Sequence, residues 1–139
     1  MTATIEDVKE YWNRQPCNIK HSKKEIGTKE YFEEVEKKRY TAEPHIPRFA
    51  NFPAWSGKKV LEIGCGLATE GINFAFDGAD YTATDLSSDS LDLAKKRFEV
   101  YNKKGNFYLG NAEKLTSFLP RQKFDLIYSF GVIHHSPNP

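Results

Sequence analysis

The stretch Val60-Leu-Glu-Ile-Gly-Cys-Gly-Leu-Ala-Thr-Glu-Gly-Ile-Asn-Phe-Ala75 constrains the fold of this chain more than any other segment. Val60, Leu61 and Ile63 have the apolar pattern of a buried strand, and Gly64 and Gly66 follow directly. Glycine lets the backbone turn sharply and admits a ligand closer than any Cβ would allow. Ile72, Ala75 and Phe76 then recur at helical spacing, so the loop feeds a helix whose N-terminal amides face whatever the loop holds. Strand, glycine loop and helix together describe a nucleotide-cofactor pocket.

From Lys58 onward strand and helix signals alternate in short steps, which predicts βαβ units around a parallel sheet. Strands are expected at about 59–63, 81–84, 106–109 and 124–130, helices at about 69–76 and 89–102, and a short helix at about 112–118. Right-handed crossovers then order the strands 3-2-1-4, giving an α/β, Rossmann-like, doubly wound parallel sheet in partial form. Residues 1–57 differ. They carry charged helical segments over about 5–14 and 29–40, punctuated by Pro16, Pro44, Pro47 and Pro53, and are expected to form an N-terminal helical cap on the 58–139 unit. Val8, Tyr11 and Trp12, and separately Tyr31, Phe32 and Val35, form apolar clusters that should dock on the sheet.

Composition narrows the function. The 20 basic and 19 acidic residues are interspersed and leave a net charge of +1, so no basic stripe is available to track a nucleic-acid backbone. The clusters Lys20, Lys23, Lys24 and Lys95, Lys96, Arg97 are expected on solvated faces. No apolar run approaches the ~20 residues of a membrane span and no signal-peptide pattern is present, so a cytoplasmic location is the default expectation. Cys17 and Cys65 share no Cys-x-x-Cys motif, so neither a disulfide framework nor a metal site is indicated, and Cys65 is expected to pack rather than attack.

Details of the loop separate the possible ligands. A dinucleotide fingerprint requires Gly-x-Gly-x-x-Gly or Ala, with the helix N-terminus free for a pyrophosphate. Here the last position is Thr69, and the carboxylate of Glu70 falls in the first helical turn, where it would repel phosphate. An NAD-dependent oxidoreductase is therefore the weaker alternative. Glu62, two residues before Gly64, adds a carboxylate at the strand end where open α/β sheets bind ligands. A cationic, phosphate-free ligand suits these acids.

Glu62-Ile-Gly-Cys-Gly-Leu-Ala68 resembles the Glu/Asp-x-Gly-x-Gly-x-Gly motif of class I S-adenosylmethionine (SAM)-dependent methyltransferases, in particular the small-molecule type that includes ubiquinone and menaquinone biosynthesis enzymes. SAM has a sulfonium and an ammonium group and no phosphate. Ala68 departs from the motif: a positive φ there would cost alanine on the order of 1 kcal/mol, whereas a requirement for small size alone would be met. The resemblance implies that Glu62, Gly64, Cys65 and Gly66 line the cofactor site. Asp85, nineteen residues beyond Gly66, would accept from the ribose hydroxyls, with Leu86 beside it; the alternative is a helix cap. In Gly110-Asn-Ala-Glu, Asn111 and Ala112 would meet the adenine, although a plain turn and cap fits the same residues. Phe130 belongs to the same cofactor set, and Arg39 would pair with the methionine carboxylate or else serve as ordinary surface charge. Tyr11 and Tyr40 are further candidates to reach the methionine end or the substrate.

The last segment, Gly131-Val-Ile-His-His-Ser-Pro-Asn-Pro139, carries His134 and His135 at the carboxyl edge of strand four. A histidine near its ordinary pKa can accept a proton from a methyl acceptor or position it; the alternative is that the pair pins the loop. On extended backbone the two would point oppositely, so at most one should face the pocket. The resemblance covers the cap and about four of the family's seven strands, which implies a truncated form. It also leaves strand four as an edge with apolar Leu126, Ile127 and Phe130, an expected homodimer surface. The implied activity is methyl transfer from SAM to a small molecule, with a cofactor-binding or assembly module lacking catalysis as the alternative.

Overall fold

The computed structural model describes residues 3–16 and 18–139; Cys17 lies outside them. Among these residues four parallel strands, β1 (Lys59–Ile63), β2 (Asp80–Asp85), β3 (Asn106–Leu109) and β4 (Leu126–Tyr128), stand in the order β3-β2-β1-β4 that the crossovers require. β1 lies between β2 and β4, with Glu62 opposite Ala83 on one side and Tyr128 on the other. As a central strand it is buried from Val60 to Ile63, and a carboxylate sits inside a segment that is otherwise apolar.

The helices are α1 (Ile5–Arg14), α2 (Lys29–Ala42), α3 (Ile46–Ala50), α4 (Thr69–Phe76) and α5 (Ser88–Val100), with 3₁₀ turns at Ile19–His21, Phe52–Trp55, Ala112–Ser117 and Ile133–His135. Local chemistry sets their starts. Thr4 and Asp7 form a reciprocal capping box on α1, Thr28 accepts from the Tyr31 amide at the head of α2, and Ser87 accepts from the Ser90 amide at the head of α5. α3 and the turn at Phe52–Trp55 escape the sequence reading because Pro47 and Pro53 look like breaks. Each stands in the first turn of its helix, where no N–H is needed, and the flanking Ile46 and Phe52 are buried.

Three further expectations are corrected. β4 spans 126–128 rather than 124–130, whereas the short helix expected after β3 is present as a 3₁₀ helix over Ala112–Ser117, kinked at Lys114. Lys95 and Lys96 are exposed as expected, but Arg97 on the same helix is completely buried. The turn at Ile133–His135 is not extended. Its curvature leaves the His134 and His135 rings 4.0 Å apart instead of opposed.

The cap contributes unequally. Tyr31, Phe32 and Val35 of α2 are fully buried and pack with Leu67 of the glycine loop. α1 buries none of its residues. Among the described residues β4 pairs with β1 on one side only; Ile127 stands 62% exposed, and Phe49, 64% exposed, packs its ring against Tyr128 and Phe130. No helix among the described residues is long and apolar enough to cross a membrane.

Candidate cofactor site

The carboxyl ends of the strands open into a cleft of about 340 Å³, within the range of small-molecule sites. Gly64 and Gly66 bring its floor close to the ligand space. Both have positive φ, 73° and 53°, where a side chain is strained. They serve different neighbours: a Cβ on Gly64 would lie 2.3 Å from the Val132 side chain, whereas one on Gly66 meets nothing within 4 Å and would enter open space. Gly64 thus lets the loop after β4 approach, and Gly66 keeps the cleft clear.

Asp85 joins the two halves of the site. Its Oδ2 accepts from the Gly66 amide at 2.8 Å, and its Oδ1 accepts from the Ser87 amide at 2.8 Å. The helix cap is Ser87, not Asp85. Burial pushes the Asp85 carboxyl up, opposed by the amides of Ser87, Gly66 and Leu86. Each oxygen retains a second lone pair for a ligand hydroxyl. Asn111 lines the cleft and also caps the following turn, its Oδ1 accepting from the Glu113 amide at 2.9 Å.

The acids are arranged differently from the sequence expectation. Glu62 accepts from the Tyr81 hydroxyl at 2.5 Å, and burial, then the charge of Glu70, raises its pKa well above the ordinary carboxylate value. Glu70 is not a bare charge at the helix start: Arg39 donates to it through Nε at 2.5 Å and to Glu43 through Nη1 at 3.3 Å. The charge of Glu70, expected to repel phosphate, is therefore offset by Arg39. Cys65 is buried, and its thiol is pushed up by burial and by the charges of Asp85 and Glu62, which suits packing and not nucleophilic attack.

The cleft brings together Glu62, Gly64, Cys65, Gly66, Asp85, Leu86, Asn111, Ala112, Phe130, Arg39 and His135. The sequence profile of the family described as a methyltransferase domain matches residues 61–139, which spans all of these except Arg39. This chain belongs to that methyltransferase family. It is a class I SAM-dependent methyltransferase domain distantly resembling ubiquinone biosynthesis O-methyltransferases: it is 30% identical to that of Photobacterium profundum over 83 residues and 35% identical to that of Dechloromonas aromatica over 86 residues. These matches cover 60% of this chain and 35% and 36% of the two relatives, so the matched region spans about a third of their length. The fold agrees with the magnesium protoporphyrin IX methyltransferase of Synechocystis solved with bound SAM, at a TM-score of 0.67 and 18% identity over 96% of this chain and 64% of that one. The PH0226 protein of Pyrococcus horikoshii gives 0.61 and 23% over 91% and 53%.

Three of the candidates do not line the cleft. His134 faces a shallow hollow beside Ser129 and Pro139. Tyr11 is 55% exposed, its ring edge-on to Trp12. Tyr40 is spent on structure, its hydroxyl donating to the Thr69 carbonyl and accepting from Asn73.

Other contributors were hidden in the sequence. Ile5, Val8 and Trp12 form one face of α1 and wall the cleft, and the Trp12 ring meets the His135 ring edge-on at 5.5 Å. That spacing was visible as helical periodicity but looked like core. Gly71 takes the close-packing role expected at Thr69: a Cβ there would lie 2.2 Å from the Tyr81 hydroxyl oxygen, so its absence lets α4 settle on β2 and leaves that hydroxyl free to reach Glu62.

Proposed function

We propose that this chain binds SAM in the cleft and methylates a small-molecule hydroxyl acceptor. The observation that carries the reading is the pairing of an open Gly66 floor with Asp85 at the end of β2 and acids on the wall. SAM suits these residues: Asp85 would accept from the ribose hydroxyls, Asn111 and the Ala112 amide would meet the adenine, and a Glu62 oxygen would accept from the ammonium of the methionine portion. Bound there, SAM supplies an electrophilic methyl group. The residues of the chain exclude water and orient the acceptor, and proximity and alignment provide most of the rate.

The acceptor end of the cleft is apolar on the α1 side, through Ile5, Val8 and Trp12, and carries the imidazole of His135 on the other. That pairing fits a flat, largely apolar molecule with an ionisable hydroxyl, whose proton His135 would accept or whose oxygen it would position. The names of the curated relatives, O-methyltransferases of ubiquinone biosynthesis, support a phenolic acceptor. A cofactor-binding module without catalysis is the second reading, since the residues at the cofactor end of the cleft suffice for binding alone. Incubation with methyl-labelled SAM and a panel of small phenols tests the proposal. Label in an extractable methyl ether supports it, and bound SAM with no transfer to any phenol supports the binding module.

A further inference from the structure

The fully buried guanidinium of Arg97 has no role in the reading above, and its contacts converge on one point. Ala68 sits between Leu67 and Thr69 with φ 52° and ψ 43°, a left-handed conformation that costs a residue with a Cβ about 1–2 kcal/mol. From α5, Arg97 Nη1 donates to the Leu67 carbonyl at 3.0 Å and to Thr69 Oγ1 at 2.7 Å, so one nitrogen bridges the residues on either side of Ala68. Nη2 donates to the Phe32 carbonyl at 2.8 Å, and the guanidinium lies 4.9 Å over the Phe32 ring, which anchors the bridge to α2. Fixing the Leu67 carbonyl fixes the peptide plane about which the Ala68 φ turns.

Stability alone explains this residue poorly. Among the described residues Nε has no hydrogen-bond partner, and Glu36, 3.9 Å from Nη2, is held above its ordinary pKa by burial. Burying a cation with incomplete pairing is costly, and apolar replacements of such groups are often neutral or stabilising. What the guanidinium does supply is geometry at the turn that carries Gly64 and Gly66.

We infer that Arg97 is a positioning residue that holds the cofactor loop in its left-handed turn at Ala68, in place of the third glycine of the motif. The effect on ligand rests on the SAM reading; the effect on the loop does not. Arg97→Met keeps side-chain length and removes every donor, and Ala68→Gly removes the conformational cost that the clamp offsets. SAM affinity by calorimetry, thermal stability and amide hydrogen exchange would be measured on both single variants and the double variant.

In folded Arg97→Met, SAM binding is expected to weaken about tenfold, as displaced loops do. The Ala68 amide, which donates to the Cys65 carbonyl at 2.8 Å, should exchange faster while β1 and β2 amides do not. The double variant should recover both toward wild type, whereas Ala68→Gly alone should leave affinity unchanged. Should Arg97→Met not fold, Arg97→Lys, which keeps the charge and at most part of the bridge, should show the same selective exchange at Ala68. Wild-type affinity and unchanged exchange in a folded Arg97 variant, or a folded double variant without recovery, overturns the inference. Selective exchange in a wild-type background that binds no SAM overturns the ligand reading and leaves the loop role standing.

Discussion

At the residue scale the site is built on carboxylates drawn largely out of water at the strand ends. Glu62 is the extreme case: a strand interior holds it, and the Tyr81 hydroxyl donates to it. Its folded pKa is raised above 4.5, so the folded state holds this proton more tightly than the unfolded chain does. The stability linked to it is present below the unfolded pKa and is lost as pH rises toward the folded value. Glu62→Gln removes the titration. The stability of the variant relative to wild type should therefore grow from about pH 5 upward, at no more than about 1.4 kcal/mol per pH unit, and level off above the folded pKa. Urea unfolding at a series of pH values reads this difference, and a flat one contradicts the account. Much of this was legible in the residues themselves. Glu62, Gly66 and Asp85 announce their places by spacing, whereas the burial of Arg97 does not, because a basic residue beside Lys95 and Lys96 looks solvated until the fold puts carbonyls around it.

Elements of the βαβ unit were legible because strand and helix periods are local. β1, α4 and β3 fall at the residues expected, and α1 does too. Failures occur where tertiary contact overrides the local signal: β4 is trimmed to three residues, α3 hides behind prolines, and the turn carrying His134 and His135 curls. The α4–β2 contact shows how one absent atom governs an element. Gly71→Ala would place a Cβ within 2.2 Å of the Tyr81 hydroxyl oxygen, forcing α4 outward or Tyr81 off Glu62. The expected loss is about 1–3 kcal/mol, the range for overpacking a filled core. A shift in the urea midpoint at constant slope would register it, and an unchanged midpoint would show that the helix yields freely.

At the scale of the whole molecule, the cleft faces one end of the sheet, and β4 forms one edge of that sheet among the described residues. We propose that two copies meet across β4, an isologous arrangement in which Ile127 and Phe49 leave water. Light scattering should give twice the 15.9 kDa chain mass at micromolar concentration, and Ile127→Lys should return the chain to a monomer. A wild-type monomer contradicts this without touching the cofactor site. The wall made by Trp12 and His135 was not legible, because it joins α1 to the turn after β4, two segments far apart in sequence. The cofactor class was legible, because one loop and one carboxylate nineteen residues later carry it.

The central claim is that this cleft holds SAM, and calorimetric titration of wild type and Asp85→Ala with SAM tests it most directly. Saturable 1:1 binding is expected with Kd in the span of about 1 μM to 1 mM common for enzyme ligands. Removing the Asp85 carboxylate should weaken it by about tenfold or more, since hydrogen bonds to a charged group contribute about 1.5–3 kcal/mol. No binding heat at millimolar SAM, or equal affinity in a folded Asp85→Ala variant, would contradict the account.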